Sequence, residues 1–249
     1  MNGAQAELIE GGALRGANVF HSFQDFNVND GQRVYFANPT GIENILSRVT
    51  GSNVSNIFGT LGVDGAANLF LLNPNGVVFG PNAQLDVSGA FSVTTAERYS
   101  FLDGTDFSAT NPGQAPLVTV SITPGVQFNG APQGDITNQG NLAVGAEQTL
   151  ALHGDTVTNS GDLTAEGGTV LVLGNQVALT GQATVEVSSA TGGGDVYIGG
   201  DYKGQGDLPT AQQAVVEAGV TINADAVETG DGGNELVWAD DKTQNKGSI

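Results

Sequence analysis

The chain has 249 residues, among them 38 glycines and no cysteine, and it carries a formal net charge of −19 with only seven Lys and Arg residues. The lack of cysteine excludes disulfides, thiol nucleophiles and thiolate metal ligands, and the scattered basic residues exclude a stripe that binds nucleic acid or an anionic lipid surface. Hydrophobic residues make up 39% of the chain but aromatic residues only 6%, so a core of Val, Leu, Ile and Ala is expected.

The sequence at the start of the chain is not expected to act as an export signal. Residues Met1–Glu10 lack the basic region and the apolar stretch of a signal peptide. No apolar run approaches the 18 residues of a membrane-spanning helix, so no lipid-spanning segment is expected. We therefore expect the chain to be either cytosolic or a mature form with an added initiator Met. Residues 1–40 are expected to form an N-terminal cap.

Short apolar or alternating runs predict strands along the whole chain, separated by clusters of Gly, Asn, Asp and Pro that are typical of turns. The predicted strands are Arg33–Phe36, Asn68–Leu72, Gly76–Phe79, Gln84–Val87, Leu117–Ile122, Thr149–Leu152, Thr169–Leu173 and Asp195–Ile198. Helical periodicity is almost absent. The best candidate, Thr210–Ala218, is too short and is expected to form a loop or a single turn.

The sequence Asn73-Pro74-Asn75-Gly76 joins two of these apolar strands and fits a type I turn. Asn suits the first position, Pro presets φ at the second, and Gly accepts a positive φ at the end. The tetrapeptide is therefore predicted to be a tight structural corner.

A repeat of 21 residues lies in the middle of the chain. Ile136–Val144 (ITNQGNLAV) and Val157–Ala165 (VTNSGDLTA) align so that Asn138 matches Asn159 and Leu142 matches Leu163. A weaker copy begins at Leu179. A period near 20 with several short strands is typical of a solenoid. Stacked coils would form a ladder of the two Asn side chains and place the two Leu side chains in the core.

These observations favour an all-β protein: a right-handed parallel β-helix with an N-terminal cap and β excursions outside the helix. Residues 1–249 would form a single domain. The Pro-rich residues 97–134 and residues 201–213 break the repeat and are expected to leave the solenoid. A β-sandwich with chance internal similarity is the alternative fold.

Two blocks of the chain resemble a known family. Residues Asn38–Gly51 (NPTGIENILSRVTG) and residues 67–80 (ANLFLLNPNGVVFG) resemble the two-partner-secretion (TPS) domain of filamentous-haemagglutinin-like exoproteins. The sequences of residues 21–39 and 193–213 are similar to those of the cyanobacterial branch of that family. The family's two motifs, NPNL and NPNGI, correspond to Asn38-Pro39-Thr40-Gly41, which departs from the pattern, and to Asn73-Pro74-Asn75-Gly76-Val77.

The resemblance implies a secretion domain of a large exoprotein or adhesin. Its partner would be an outer-membrane transporter of the Omp85 type (TpsB), which binds through its periplasmic POTRA domains. The protein would pass through the periplasm of a Gram-negative bacterium and be secreted or displayed at the cell surface. A carbohydrate-active β-helix enzyme and a stand-alone adhesive β-helix are the alternative functions.

No catalytic residue, cofactor or metal site is predicted from the sequence. The candidates for nucleophilic catalysis, His21-Ser22 and His153-Gly154-Asp155, have no nucleophile-elbow context. The acidic segments Asp103–Asp106 and Asp231–Glu235 match no calcium-loop pattern and are expected to be solvated loops. A monomer without a nucleic-acid partner is expected. Because Leu236-Val237-Trp238 reads as an inward-facing strand close to the C-terminus, the chain is expected to be a fragment of a longer protein.

Overall fold

The structure, a computed structural model, describes residues 5–101, 104–113 and 131–248. Almost all regular structure in these residues is short β-strand. The strands before residue 114 are β1 (Glu7–Ile9), β2 (Ala13–Arg15), β3 (Asn18–Phe23), β4 (Arg33–Ala37), β5 (Asn44–Val49), β6 (Ser55–Ile57), β7 (Thr60–Asp64), β8 (Asn68–Leu72), β9 (Val77–Phe79), β10 (Gln84–Asp86), β11 (Phe91–Thr94), β12 (Arg98–Ser100) and β13 (Asp106–Ser108).

The part of the chain after residue 130 continues in the same way, with one short 3₁₀ helix at Tyr202–Gly204. Its strands are β14 (Ile136–Asn138), β15 (Asn141–Ala143), β16 (Thr149–Asn159), β17 (Asp162–Thr164), β18 (Thr169–Leu179), β19 (Thr184–Glu186), β20 (Asp195–Ile198), β21 (Ala211–Val216), β22 (Thr221–Asn223), β23 (Asn234–Val237) and β24 (Ala239–Asn245). The predicted strand Leu117–Ile122 lies outside the described residues.

The strands form three parallel faces that the chain visits in a fixed order. Face A consists of β1, β4, β7, β10, β15, β17, β19 and β22. Face B consists of β3, β5, β8, β11, the first parts of β16 and β18, and then β20 and β23. Face C consists of β6, β9, β14, the second parts of β16 and β18, and then β21 and β24.

Each passage through faces A, B and C is one coil, and the described residues make eight coils. In coil 1, a bridge from Val28 to Ile57 takes the place of the face C strand. Consecutive coils pair in parallel, with the usual strand spacing of about 4.8 Å. The chain is therefore a parallel β-helix, as predicted, and parallel crossovers are right-handed in nearly all proteins.

The inner side chains of the three faces form one continuous apolar core. Parallel pairing stacks equivalent positions, so that Leu142, Leu163, Val185 and Ile222 follow one another along face A. Val, Leu and Ile dominate this core because branched side chains pack well on a pleated surface.

Face B is buried on both sides, unlike an ordinary solenoid face. Its outer side chains in coils 1 to 3, Phe20, Leu46, Phe70 and Leu72, pack against Tyr99, Phe101, Phe107 and Ala109. The latter four belong to the antiparallel hairpin β12–β13 and its flanks. Burial on both sides explains the continuous apolar run Asn68–Leu72, because such strands do not alternate with polar residues.

Two segments leave the coils at the same corner, between face B and face C. The chain leaves the coils after β11 and rejoins them at β14, and of the segment between these strands the structure describes residues 95–101, 104–113 and 131–135. Residues 199–210 lie between β20 and β21. Residues 97–134 and 201–213 were expected outside the solenoid. The second expected range is longer than the outlying segment, because Ala211–Gln213 already lie in β21 and pair along the stack.

Residues 1–40 were expected to form an N-terminal cap, but most of this range already belongs to the coils. β1 and β3 already pair in parallel with β4 and β5. Only β2 breaks the pattern, because it pairs antiparallel with β3 at the outer edge of face B. We propose that β2 serves as the N-terminal cap, since it covers a strand edge that would otherwise present unpaired backbone groups.

Two local interpretations of the sequence were wrong. Residues Thr210–Ala218, expected to be a loop or a single turn, contain strand β21, because pairing with β18 and β24 outweighs the weak local preference. In β23, Leu236 does not face inward. It aligns with Tyr197 on the outside of face B, whereas Glu235 and Val237 align with the core residues Val196 and Ile198.

Candidate functional site

The Asn73–Gly76 corner connects β8 on face B with β9 on face C. The backbone N–H of Gly76 donates to the carbonyl of Asn73 at 3.1 Å, which closes the turn. Gly76 has a φ of +114°, a conformation that residues with a side chain rarely adopt. Pro74 and Asn75 are half-buried at the tip.

The two Asn side chains of this corner make hydrogen bonds within the fold. Asn73 is completely buried, and its Nδ2 donates to the carbonyl of Asn53 at 3.1 Å and to Ser55 Oγ at 2.9 Å. Its Oδ1 accepts from the backbone N–H and from the Nδ2 of Asn75. Asn75 Nδ2 also donates to the carbonyl of Gly51 at 2.9 Å. The corner is thereby tied to the preceding coil.

The chain re-enters the coils directly on top of this corner, at residues 134–135. The backbone N–H of Val77 donates to the carbonyl of Asp135 at 3.0 Å. A Cβ at position 76 would come within 2.9 Å of that carbonyl oxygen, and a Cβ at position 134 would come within 2.6 Å of the Gly76 nitrogen. Gly76 and Gly134 are therefore both required for the close approach of the two segments.

The Asn38–Gly41 segment is also a turn, but at the corner between face A and face B. Here the backbone N–H of Ile42 donates to the carbonyl of Pro39 at 3.0 Å. The hydrogen-bonded turn therefore begins at the second residue of this motif, whereas in the other motif it begins at the first residue, Asn73. Asn38 Oδ1 accepts from the backbone N–H groups of Ala66 and Ala67 in the next coil, at 3.1 and 3.2 Å. Thr40, where this chain departs from the family pattern, is exposed. The structure does not bring the two motifs together.

The residues of the predicted repeat lie in adjacent coils. Asn138 is aligned with Asn159, and its Nδ2 donates to Asn159 Oδ1 at 2.7 Å. Leu142 is aligned with Leu163, and both are completely buried. Asn138 Oδ1 also accepts from the backbone N–H of Gly140. The amide pair thus stabilises the corner between face C and face A.

A second Asn ladder, which sequence reasoning missed, lies at the corner between face A and face B. Asn44 Nδ2 donates to Asn18 Oδ1, and Asn68 Nδ2 donates to Asn44 Oδ1, each at 2.9 Å. Asn68 Oδ1 in turn accepts from the backbone N–H of Ala90. The sequence does contain a pattern that could have predicted this ladder, because each of the three Asn residues directly precedes two apolar residues at the start of a strand.

Arg48 was also missed, and it anchors the hairpin β12–β13. Its guanidinium donates to Ser22 Oγ and to the carbonyls of Ser108 and Gly113, at 2.7 to 2.8 Å. It lies 4.4 Å from the centre of the Phe107 ring. Only 5% of Arg48 is exposed, and this burial lowers the pKa of the guanidinium. A lone Arg in an apolar strand gives no hint in the sequence of a partner 60 residues away.

The two histidines are packed inside the protein. His21 lies against the rings of Phe23 and Phe36, and burial lowers its pKa. His153 Nδ1 is 3.0 Å from Thr94 Oγ1 at the root of the excursion, and burial lowers its pKa to about 4. His21 is therefore held by aromatic packing, and His153 by a contact with the hydroxyl of Thr94.

Charged groups concentrate on the outside of face A. Arg33 and Asp86 flank the hydroxyl of Tyr35, which donates to Asp86 Oδ2 at 2.6 Å. Glu186 accepts from Asn223 Nδ2 and from the backbone N–H of Ser188, and these bonds lower its pKa despite the opposing effect of burial. Within the described ranges, no three His, Cys, Asp or Glu residues are grouped so as to hold a metal ion.

None of the helices in the described part of the chain has the length and apolar character needed to cross a membrane.

A family model described as the TPS secretion domain matches residues 2–247. The chain is 28% identical over 143 residues to the heme/hemopexin-binding protein of Haemophilus influenzae, an alignment that covers 57% of this chain and 14% of that protein. It is also similar to the crystal structure of the HMW1 secretion domain from Haemophilus influenzae, with 19% identity, a TM-score of 0.42, and coverage of 95% of this chain and 88% of that one.

Proposed function

Because the chain belongs to the TPS secretion domain family, we propose that it directs the export of a larger exoprotein across an outer membrane. The match to the family model over residues 2–247 is the observation that carries this proposal. The family is one of secretion domains of exoproteins and not one of enzymes.

We further propose that the recognising partner is an outer-membrane TpsB transporter of the Omp85 type, which engages the chain through its periplasmic POTRA domains. The exoprotein would then be secreted or displayed at the surface of a Gram-negative cell. What the exoprotein binds is a separate question, because the alignment covers only 14% of the curated relative. The assignment to the cyanobacterial branch stays a prediction.

The motif around Asn73 contributes to this function by shaping the fold. Asn73 is completely buried, and both Asn side chains of the corner make hydrogen bonds to the preceding coil. An asparagine with these bonds has few donors and acceptors left for a partner. We therefore propose that the motif residues organise the corners of the surface that the transporter recognises. These residues are Asn73, Pro74, Asn75 and Gly76, together with Asn38 and Pro39.

Export from a Gram-negative host tests the proposal. The chain is produced behind a cleavable signal sequence, together with its cognate TpsB transporter, and its appearance in the medium is measured. Release is expected with the intact transporter and not with a transporter that lacks the POTRA domains. A variant of the chain without residues 5–80 is expected to stay in the periplasm, because it lacks coils 1 and 2, almost all of coil 3 and both motifs.

Equal release with and without the POTRA domains would contradict the proposed recognition. A chain that reaches the periplasm folded and is never released by the intact transporter would contradict the secretion role itself. A periplasmic marker enzyme in the same cultures controls for leakage.

A further inference from the structure

One column of inward-facing residues runs through all eight coils along face B. Parallel pairing aligns one residue of each coil in this column. In coils 1 to 7 every member is apolar and buried in the core: Val19, Ile45, Leu69, Phe91, Leu150, Val170 and Val196. In coil 8 the same position is Glu235, which aligns with Val196. A carboxylate therefore lies where the fold otherwise places a hydrocarbon side chain.

The carboxylate of Glu235 has little to compensate for its burial. Its Oε2 is buried, and none of the described groups donates a hydrogen bond to it. Burial raises the pKa of Glu235, the backbone N–H of Ala224 opposes this by donating to the carboxylate, and the like charges of Asp225 and Glu186 raise the pKa further. The charged form of such a group is costly inside a protein.

The strands packed around Glu235 supply no basic partner among the described residues. β20 and β22 place only apolar side chains in the core beside it: Val196, Ile198 and Ile222. On face C, the residues of β24 that align with core positions of β21 are Ala239, Thr243 and Asn245. Lys242 aligns with the exposed Gln213 and so belongs to the outer row. The core of coil 8 is thus partly polar, and Glu235 is its ionisable member.

We propose that Glu235 is a proton-operated switch of coil 8: its charged form keeps the coil loosely packed at neutral pH, and its protonated form lets the coil close onto coil 7. An inward-pointing charge is one of the ways in which proteins weaken the edge of a sheet. The inference goes beyond the proposed secretion function and does not depend on it.

The direction of the pH dependence follows from the two states of the coil. Opening exposes Glu235 to water, where its pKa returns toward the ordinary value of 4.5. Because the pKa is higher in the closed coil, the closed coil binds the proton more tightly. The free energy of opening therefore rises as the pH falls through the pKa of the closed coil, and the gain is complete below 4.5. The lowered pKa of His153 makes the whole fold less stable over the same interval.

Native-state hydrogen exchange of the 249-residue chain at pH 7 and pH 5, corrected for the intrinsic exchange rate, tests the switch. The amide of Asn234 donates to the carbonyl of Gly194 at 3.2 Å, and that of Trp238 donates to the carbonyl of Ile198 at 2.9 Å, so both report the opening of β23. We expect their protection to rise about three-fold or more from pH 7 to pH 5. Amides of β5, which report global unfolding, should lose protection over the same interval.

Two variants separate the charge of Glu235 from its size. Glu235→Gln keeps the size without the ionisation and is expected to remove the rise between pH 7 and pH 5. Glu235→Val restores the apolar column and is expected to raise the protection of β23 at pH 7 about ten-fold or more. Glu228→Gln, an exposed position in the connection between β22 and β23, makes the same change in net charge. This control should keep the pH dependence and change protection by less than about two-fold.

The protection of β5 in each variant establishes that it folds. Protection of β23 that falls together with that of β5 in the wild type would overturn the switch. So would a rise that persists in folded Glu235→Gln, because another group would then cause it. Unchanged protection in Glu235→Val would show that the carboxylate does not keep coil 8 loose. None of these results bears on export, which is measured separately.

Discussion

His153 shows how a single buried side chain makes the stability of this protein depend on pH. The imidazole is almost completely buried, lies against Thr94, and titrates with a pKa of about 4 in the folded state. Its pKa in the unfolded chain is close to the ordinary value of 6.5. Between these two values the unfolded chain binds a proton that the folded chain does not, so stability is complete above pH 6.5 and falls as the pH decreases toward 4.

We therefore expect the free energy of unfolding to fall by about 2 kcal/mol between pH 7 and pH 5 because of His153. Urea unfolding at several pH values measures this change. His153→Gln keeps a partner for Thr94 but does not titrate, and it should remove most of the slope. His21→Gln should remove a smaller part, because the pKa of His21 is also lowered by burial. A His153→Gln variant that keeps the full wild-type slope would show that other groups cause it.

At this scale the sequence predicts some side chains well and others not at all. Asn138 and Asn159 could be identified because a repeat of 21 residues places them in equivalent positions. Asn18, Asn44 and Asn68 make the same kind of ladder, but the spacings of 26 and 24 residues between them are unequal. Loops between coils vary in length without disturbing the stack, so a search for a fixed period misses such ladders.

The hairpin β12–β13 is the element that distinguishes this chain from a simple stack of coils. It leaves coil 4 and lies back over coils 1 to 3, where its apolar side chains cover the outside of face B. Arg48 in coil 2 binds the carbonyls of Ser108 and Gly113 and lies over the ring of Phe107. The hairpin therefore joins coils that are not neighbours in the sequence.

Replacing Arg48 is expected to destabilise the hairpin more than replacing any other charged residue of the hairpin region. Arg48→Met keeps an apolar stem but leaves two carbonyls without their donor, at an expected cost of about 2–3 kcal/mol in the free energy of unfolding. Arg98→Met removes only the exposed pair with Asp106, 3.5 Å long, and should cost less than about 1 kcal/mol. Equal losses in urea unfolding of the two variants would contradict the anchoring role of Arg48.

Some strands could be predicted from the sequence and others could not. The strands of the coils could be predicted because short apolar runs alternate with turn residues. β21 could not, because Ala211–Val216 has a mixed polar sequence and becomes a strand only by pairing with β18 and β24. The composition of residues 97–134 marked an excursion, but nothing in it indicated which face it would cover, since that depends on outward apolar residues such as Phe20 and Leu46 in distant coils.

The whole molecule is close to one-dimensional, because each coil contacts mainly the coils before and after it. The free energy of unfolding of such a protein is the sum of a contribution from each coil and a contribution from each contact between neighbouring coils. Local opening begins where these contributions are smallest. Coils 1 to 3 have face B buried on both sides and are bridged by the hairpin. Coil 8 lacks this cover, since β24 is exposed at most positions and β23 is only partly buried.

Native-state hydrogen exchange of the 249-residue chain should reveal this gradient. Amides of β5 and β8 are expected to exchange only through global unfolding, because their hydrogen bonds lie between two apolar layers. Amides of β23 and β24 should exchange through local opening, with protection lower by several kcal/mol, on the order of 3 or more. Arg48→Met should reduce the protection of β12, β13 and β5 while leaving β24 unchanged, because the coupling that it removes lies at the other end of the stack. Uniform protection along the coils, or loss of protection in β24 on replacing Arg48, would show instead that the domain opens as a single cooperative unit.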